Sequence, residues 1–170
     1  MVLDLDQICL ESSQISYMEF LDGENPNYRL AIETIKAFEL AGYSISEIRE
    51  LLNEKSIKTN FYYIITKNKN DISKCLNQLE NYSFNDFWQK SYDWTGQLIE
   101  ITKPKVIICE GKSVFDTVKK YDEIIESDWK NDCGYVKRSD GQIILGYSRI
   151  FSNIRNKEKL SQLIKRFIKK

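Results

Sequence analysis

In the stretch TKPKVIICEGKSVFD, Thr102 to Asp116, four consecutive apolar residues from Val106 to Cys109 run up to Gly111. Val114, Val118 and Tyr121 follow at helical spacing. A short apolar run of this kind reads as a strand buried on both faces, and the residues after it as the helix into which it turns. A buried strand feeding a helix belongs to a sheet covered by helices, so the segment is first a statement about fold. Its Gly-Lys-Ser does not make a phosphate-binding loop. That loop needs a further glycine five positions before the Gly-Lys pair, so that backbone N–H groups curl around phosphate. Val106 occupies that position.

Other segments fit the same class. Ile15 to Leu21 contains strand-like residues and leads into a turn at DGENPNY. Leu30, Ile32, Ile35, Phe38 and Leu40 then give a helical pattern that stops at Ala41-Gly42. YSISEIRELLNE begins as a capped helix, with Ser44 or Ser46 at its start and acids in its first turn. Asn60 to Thr66 is strand-like in its aromatic and β-branched content. A long helix through Trp94, Leu98 and Ile101 ends before Pro104, and a last strand, QIILGYS, leads into a helix from Lys157. Strands alternating with helices predict an α/β fold: a three-layer sandwich with a central, mostly parallel four-stranded sheet flanked by helices. Ligands are then expected at the carboxyl ends of the strands.

Length and composition bound the rest. With 170 residues, 42% hydrophobic and 29% charged, the chain suits one domain, residues 1–170, with a full core. No apolar run approaches the roughly 20 residues that span a bilayer. The VLDLDQ after Met1 lacks the pattern of a signal peptide. A cytoplasmic monomer without membrane contact is expected.

Cys9, Cys75, Cys109 and Cys133 are scattered, and there is no histidine to complete a zinc site. No metal or cofactor is expected. The missing histidines also remove the commonest general base and every Ser-His or Cys-His nucleophile pair. Net charge is zero, which argues against binding nucleic acid through bulk positive charge. From Arg149 onward, however, eight cations face one acid, Glu158. That tail is either a solvated helix face or an edge that contacts phosphate.

After the four expected strands come GENPN, then Asn60, then Gly111-Lys112-Ser113, then Tyr147-Ser148-Arg149. In this order these segments resemble the motifs of the uracil-DNA glycosylase superfamily, from about Tyr17 to Phe167. KPKVIICEGKSVFD is the closest match, GENPN and KTNFYY are moderate, and GYSRIFSN is poor. The resemblance implies hydrolysis of the N-glycosidic bond of a damaged pyrimidine such as uracil, in DNA, with no cofactor. The nucleotide would leave the helix for a pocket where its edge is read and its face stacked.

The resemblance also implies roles. Asn60 would read the base, since an amide offers a donor and an acceptor together. Glu24 or Asn25 would orient water, Tyr28 would stack, and Lys112, Ser113 and Arg149 would meet the DNA backbone. Each has a plainer reading: GENPN as a surface turn, Asn60 as a strand cap, Gly111-Lys112-Ser113 as a helix start. Ser148 stands where the family carries a histidine that steadies the departing base, and Arg149-Ile150 replaces its Pro-Ser. Some branches hold an iron–sulfur cluster on cysteines paired ahead of the first motif. Here Cys9 alone precedes Gly23. Two functions follow: a weakened glycosylase, or a non-catalytic relative that binds nucleic acid, a nucleotide or a protein.

Overall fold

The computed structural model describes residues 12–61 and 83–169, with side chains from Tyr17 onward in the first stretch. The chain divides into two compact units, Met1–Ser13 with Lys58–Lys103, and Gln14–Ile57 with Pro104–Lys170. In the smaller unit the described element is a helix, Phe84–Thr102. Ser83 caps it reciprocally with Asp86, and it buries Phe87, Ser91 and Thr95 along one stripe. No described helix is long and apolar enough to cross a membrane.

In chain order the elements are α1 (Ser12–Asp22), α2 (Arg29–Leu40), α3 (Ile45–Glu54), α4 (Phe84–Thr102), β1 (Val106–Glu110), α5 (Lys112–Val118), β2 (Ile124–Lys130), β3 (Cys133–Arg138), β4 (Ile143–Tyr147), β5 (Arg149–Ile150), β6 (Asn153–Ile154) and α6 (Lys157–Phe167). The larger unit is α/β. Its sheet has the order β1-β4-β3-β2, and β5 with β6 forms a separate hairpin. Only β1 and β4 pair in parallel, while β4–β3 and β3–β2 are antiparallel. The sheet is therefore mixed and not mostly parallel. The reason is local. Asn131 and Asp132 both take positive φ, 52° and 67°, as a tight hairpin turn of the right twist requires. That turn joins β2 to β3 directly, with no crossover helix.

Ile15 to Leu21 is helix, not strand. Its Ile, Tyr and Phe favour strands when taken singly, but Tyr17 is buried in the core formed with α2 and α6, and packing overrides propensity. Asn60 is irregular rather than strand, and residues 62–66 of that expected strand lie outside the described residues.

Helices flank the sheet: Leu145 and Tyr147 of β4 and Tyr135 of β3 join Ile35, Phe38, Leu160 and Ile164 in one apolar cluster, and α5 packs on β1 and β4. Gly134 and Gly146 are cross-strand partners. A Cβ at Gly146 would stand 2.4 Å from the Phe115 ring. The glycine opens the slot that Phe115 fills, with Trp129 beside it at 4.8 Å between ring centroids.

Candidate functional site

β1 and β4 run in parallel and end side by side, with Glu110 opposite Tyr147 in the register. Both side chains lie on the face of α1 and α2. Tyr17 of α1 donates its hydroxyl to Glu110 Oε1 at 2.7 Å, and Thr34 Oγ1 of α2 lies 3.1 Å from the same hydroxyl. Tyr28, just before α2, meets the Tyr17 ring edge to face at 5.6 Å.

Electrostatics tie these groups together. Burial raises the Tyr17 phenol far above the usual tyrosine range, and the nearby Glu110 and Tyr147 add to it. Burial also raises Tyr28; Glu110 adds to the rise and Arg149 opposes it. Tyr147 is raised by burial and then by Glu110. Thr34 is near enough to Tyr147 to temper that rise, yet Tyr147 Oη, fully buried, has no partner in hydrogen-bonding geometry. Above this cluster the chain turns at Gly111, φ 138°, a conformation that side chains rarely adopt. Arg149 Nε lies over that turn, 4.0 Å from where a Cβ would be.

The β5–β6 hairpin is held beside Tyr28 by α2. Arg29 Nε donates to Asn153 Oδ1 at 2.9 Å. Glu33 pairs with Lys157 at 2.9 Å. Burial works against the Glu33 charge, but Lys157 and the Ile154 N–H outweigh it and hold its carboxyl below the usual range. The held hairpin presents Ile150, 50% exposed, and Phe151, 90% exposed, the latter at φ 54°.

Of the residues expected at the site, Tyr28 packs on Tyr17, the donor to Glu110, and Arg149 lies over Gly111, the residue after it. Ser148 is half-buried; its N–H donates to Asp132 O at 2.6 Å and its carbonyl accepts from Arg155 N at 3.1 Å. Glu24 and Asn25 belong to a helix-capping turn. Gly23 takes φ 82°, its N–H bonds Phe20 O, and the Glu24 N–H bonds Glu19 O at 2.8 Å, the pattern that closes a helix on a left-handed glycine. Glu24 is exposed and Asn25 half-buried. Lys112 directs its amine to Asp116 at 2.5 Å and over the Trp129 ring at 4.7 Å. Ser113 is exposed on the seven-residue α5. Asn60 lies in the smaller unit, exposed, its carbonyl accepting from Thr59 Oγ1 at 3.4 Å.

The basic tail is a paired helix face. Besides Lys157, Lys159 lies 3.7 Å from Asp128 and Arg166 3.8 Å from Glu126, while Lys169 donates to Gly42 O and covers Tyr43. Cys109 and Cys133 are free and buried; burial pushes their thiols up to about 12 and about 11. Cys9 and Cys75 lie outside the described residues. Among the described residues no cluster of acids and cysteines is arranged to hold a metal ion.

Sequence reasoning passed over Glu110, Tyr17 and Thr34, and named Tyr147 without giving it a role. Glu110 had a signal: a charge that closes an apolar run immediately before a glycine sits at a strand's carboxyl end, where ligands are expected. Comparison with known proteins finds no matching family model, no matching curated protein and no matching solved structure.

Proposed function

We propose that this chain is a divergent relative of the uracil-DNA glycosylases, layered as helix, sheet and helix. It takes one pyrimidine nucleotide of DNA, turned out of its stack, at the carboxyl ends of β1 and β4, and hydrolyses its N-glycosidic bond slowly. One observation carries the reading. Tyr28, packed on the Tyr17 that bonds Glu110, and Arg149, lying over Gly111, come from distant stretches singled out by the resemblance to one end of the β1–β4 pair, the only parallel pair among the described residues. Tyr28 supplies a ring for the base face and Arg149 a cation for phosphate. Ile150 and Phe151 supply apolar bulk to fill the gap that an extruded base leaves. Slow turnover follows from Ser148, whose neutral hydroxyl stabilises developing charge on a leaving base less than a preorganised, stronger donor does.

The test is excision from labelled uracil-containing single- and double-stranded oligonucleotides, read as strand breaks after alkali. Wild type should cleave slowly, and Ser148→His should gain about tenfold or more, within the range of a single well-placed donor. A second reading, a binding module without hydrolysis, is favoured by Glu24, whose exposed side chain leaves the cap without a held base. Absence of cleavage in both proteins, with DNA binding that Arg149→Ala and Phe151→Ala weaken, decides for it. Neither cleavage nor binding overturns both.

A further inference from the structure

β5 and β6 pair over two residues each, and their hairpin lies apart from the main sheet. A two-stranded hairpin has little stability of its own. Where it carries Arg149 therefore depends on what anchors it. Ile154 is one anchor: it is 6% exposed and belongs to the core cluster with residues of α2 and α6. The polar anchors are Arg29 and Glu33, one turn apart on α2, which packs on β6. Arg29 reaches Asn153 from the exposed side. Glu33 works from within. Its carboxylate lies 2.9 Å from the Lys157 ammonium, with the two side chains 14% and 20% exposed, and Lys157 opens α6 three residues after Ile154. The pair thus ties α2 to the segment in which the hairpin ends. An ion pair this far from water is screened little by salt, and leaving one partner alone there is costly.

We propose that Glu33 is a positioning residue whose negative charge strengthens DNA binding: through Lys157 it pins the end of the β5–β6 hairpin and keeps Arg149 over the Gly111 turn, ready for phosphate. This rests on the reading that Arg149 meets the DNA backbone, and it adds the residue that controls that contact. The sign separates Glu33 from an ordinary surface acid. Removing a negative charge from a face that meets DNA lessens repulsion of phosphate and tightens binding. At Glu33 that gain is small, because the lysine already neutralises the carboxylate and charges beyond about 8 Å are screened at physiological salt. The loss is larger. Once the pair is cut, the hairpin must be ordered when DNA binds, and that ordering is subtracted from affinity. Arg29 does not serve for the test, because it is itself a cation and its removal weakens phosphate attraction whether or not it anchors the hairpin.

The experiment is a fluorescence titration of a labelled uracil-containing oligonucleotide with the full chain at about 0.15 M salt, for wild type, Glu33→Gln, Arg149→Ala and the double variant. Glu33→Gln should weaken binding about threefold or more, and should weaken it no further in the Arg149→Ala background, as expected of residues that act as a unit. In Glu33→Gln the Arg155 amide, which donates to Ser148 O at 3.1 Å across the base of the hairpin, should exchange its hydrogen faster, while the amides of β3 and β4 keep their rates. Equal or tighter binding by folded Glu33→Gln, in a protein that Arg149→Ala weakens, overturns the proposal alone. So does an unchanged Arg155 exchange rate. If that variant fails to fold, Lys157→Gln cuts the same pair from the other side, and a loss of affinity that persists in full in the Arg149→Ala background overturns the proposal. Wild type that binds no oligonucleotide, or Arg149→Ala that binds as well as wild type, removes the DNA reading of this hairpin, and the proposal with it.

Discussion

Arg138 is 2% exposed, and no carboxylate among the described residues pairs with it. Its guanidinium donates to Gln142 Oε1 and to Val118 O, the latter at 2.6 Å, and Gln142 Nε2 donates onward to Pro104 O at 2.8 Å. Val118 is the last residue of α5, so the cation sits where the carbonyls of a helix end concentrate negative charge. Arg138, with Gln142, thus joins the end of α5, the β3–β4 hairpin and Pro104, two residues before β1. Arg138→Met keeps comparable bulk but takes the donor from Gln142 Oε1 and leaves Val118 O with the Tyr121 N–H at 3.3 Å. It should lower stability by about 2–4 kcal/mol, from two lost charge-assisted bonds and one buried acceptor without its donor. The check is the urea midpoint at unchanged slope, and a loss below about 0.5 kcal/mol would show that the bolt carries little.

At the scale of elements, what could be read in the sequence is what local chemistry decides. α2 showed its face in Leu30, Ile35 and Phe38 and its end in Ala41-Gly42, where Gly42 has φ 91°. β4 is an apolar run because the sheet buries all of it, whereas β1, read as buried on both faces, is an edge strand, half-buried except at Cys109. α3 announced its start: the Ser44 side chain accepts from Glu47 N, and the Glu47 carboxylate accepts from Ser44 N. Ser44→Ala should therefore cost about 1 kcal/mol, with faster amide exchange at Glu47 as the local signature. β2 could not be read this way. Ile124 to Ser127 are all exposed, so the strand shows no alternation of apolar and polar residues, and its bulge and charges guard an open edge. α1 misled because its core anchors, Tyr17 and Leu21, are a single helical turn apart among residues that also suit strands. The site was legible where a motif ended a strand, at Ser148-Arg149 and Gly111. It was not legible at Thr34 and Tyr17, which reach Glu110 across 76 and 93 residues of chain, a proximity that only the tertiary fold creates.

For the whole molecule the absence of histidine shapes the dependence of stability on pH, because no side chain at its ordinary pKa titrates between about pH 5 and 8. On the acid side, Glu33 and Asp116 have folded pKa values below their ordinary ones. In both, burial opposes the charge and is outweighed by the paired lysines, Lys157 for Glu33 and Lys112 with Lys119 for Asp116. A depressed carboxylate adds stability above its unfolded pKa and loses it as pH falls toward the folded one. Destabilisation should therefore begin as pH drops through the ordinary carboxylate range, below about 5. On the alkaline side Cys109, Cys133, Tyr17 and Tyr147 are all raised, each chiefly by burial. A raised acid leaves stability untouched below its unfolded pKa and removes it above, since only the unfolded chain can then release the proton. The loss should start near the ordinary cysteine value of 9.0 and steepen through the ordinary tyrosine value of 10.0. Each group contributes about 1.4 kcal/mol per pH unit between its two pKa values. Urea denaturation from pH 4 to 10.5 should trace a plateau with two falling shoulders. Changing Cys109 and Cys133 together to Ala should lower the plateau, because two buried side chains lose contacts, and should shift the alkaline shoulder up toward the tyrosine range. An alkaline shoulder that stays in place would mean that the buried thiols do not govern it.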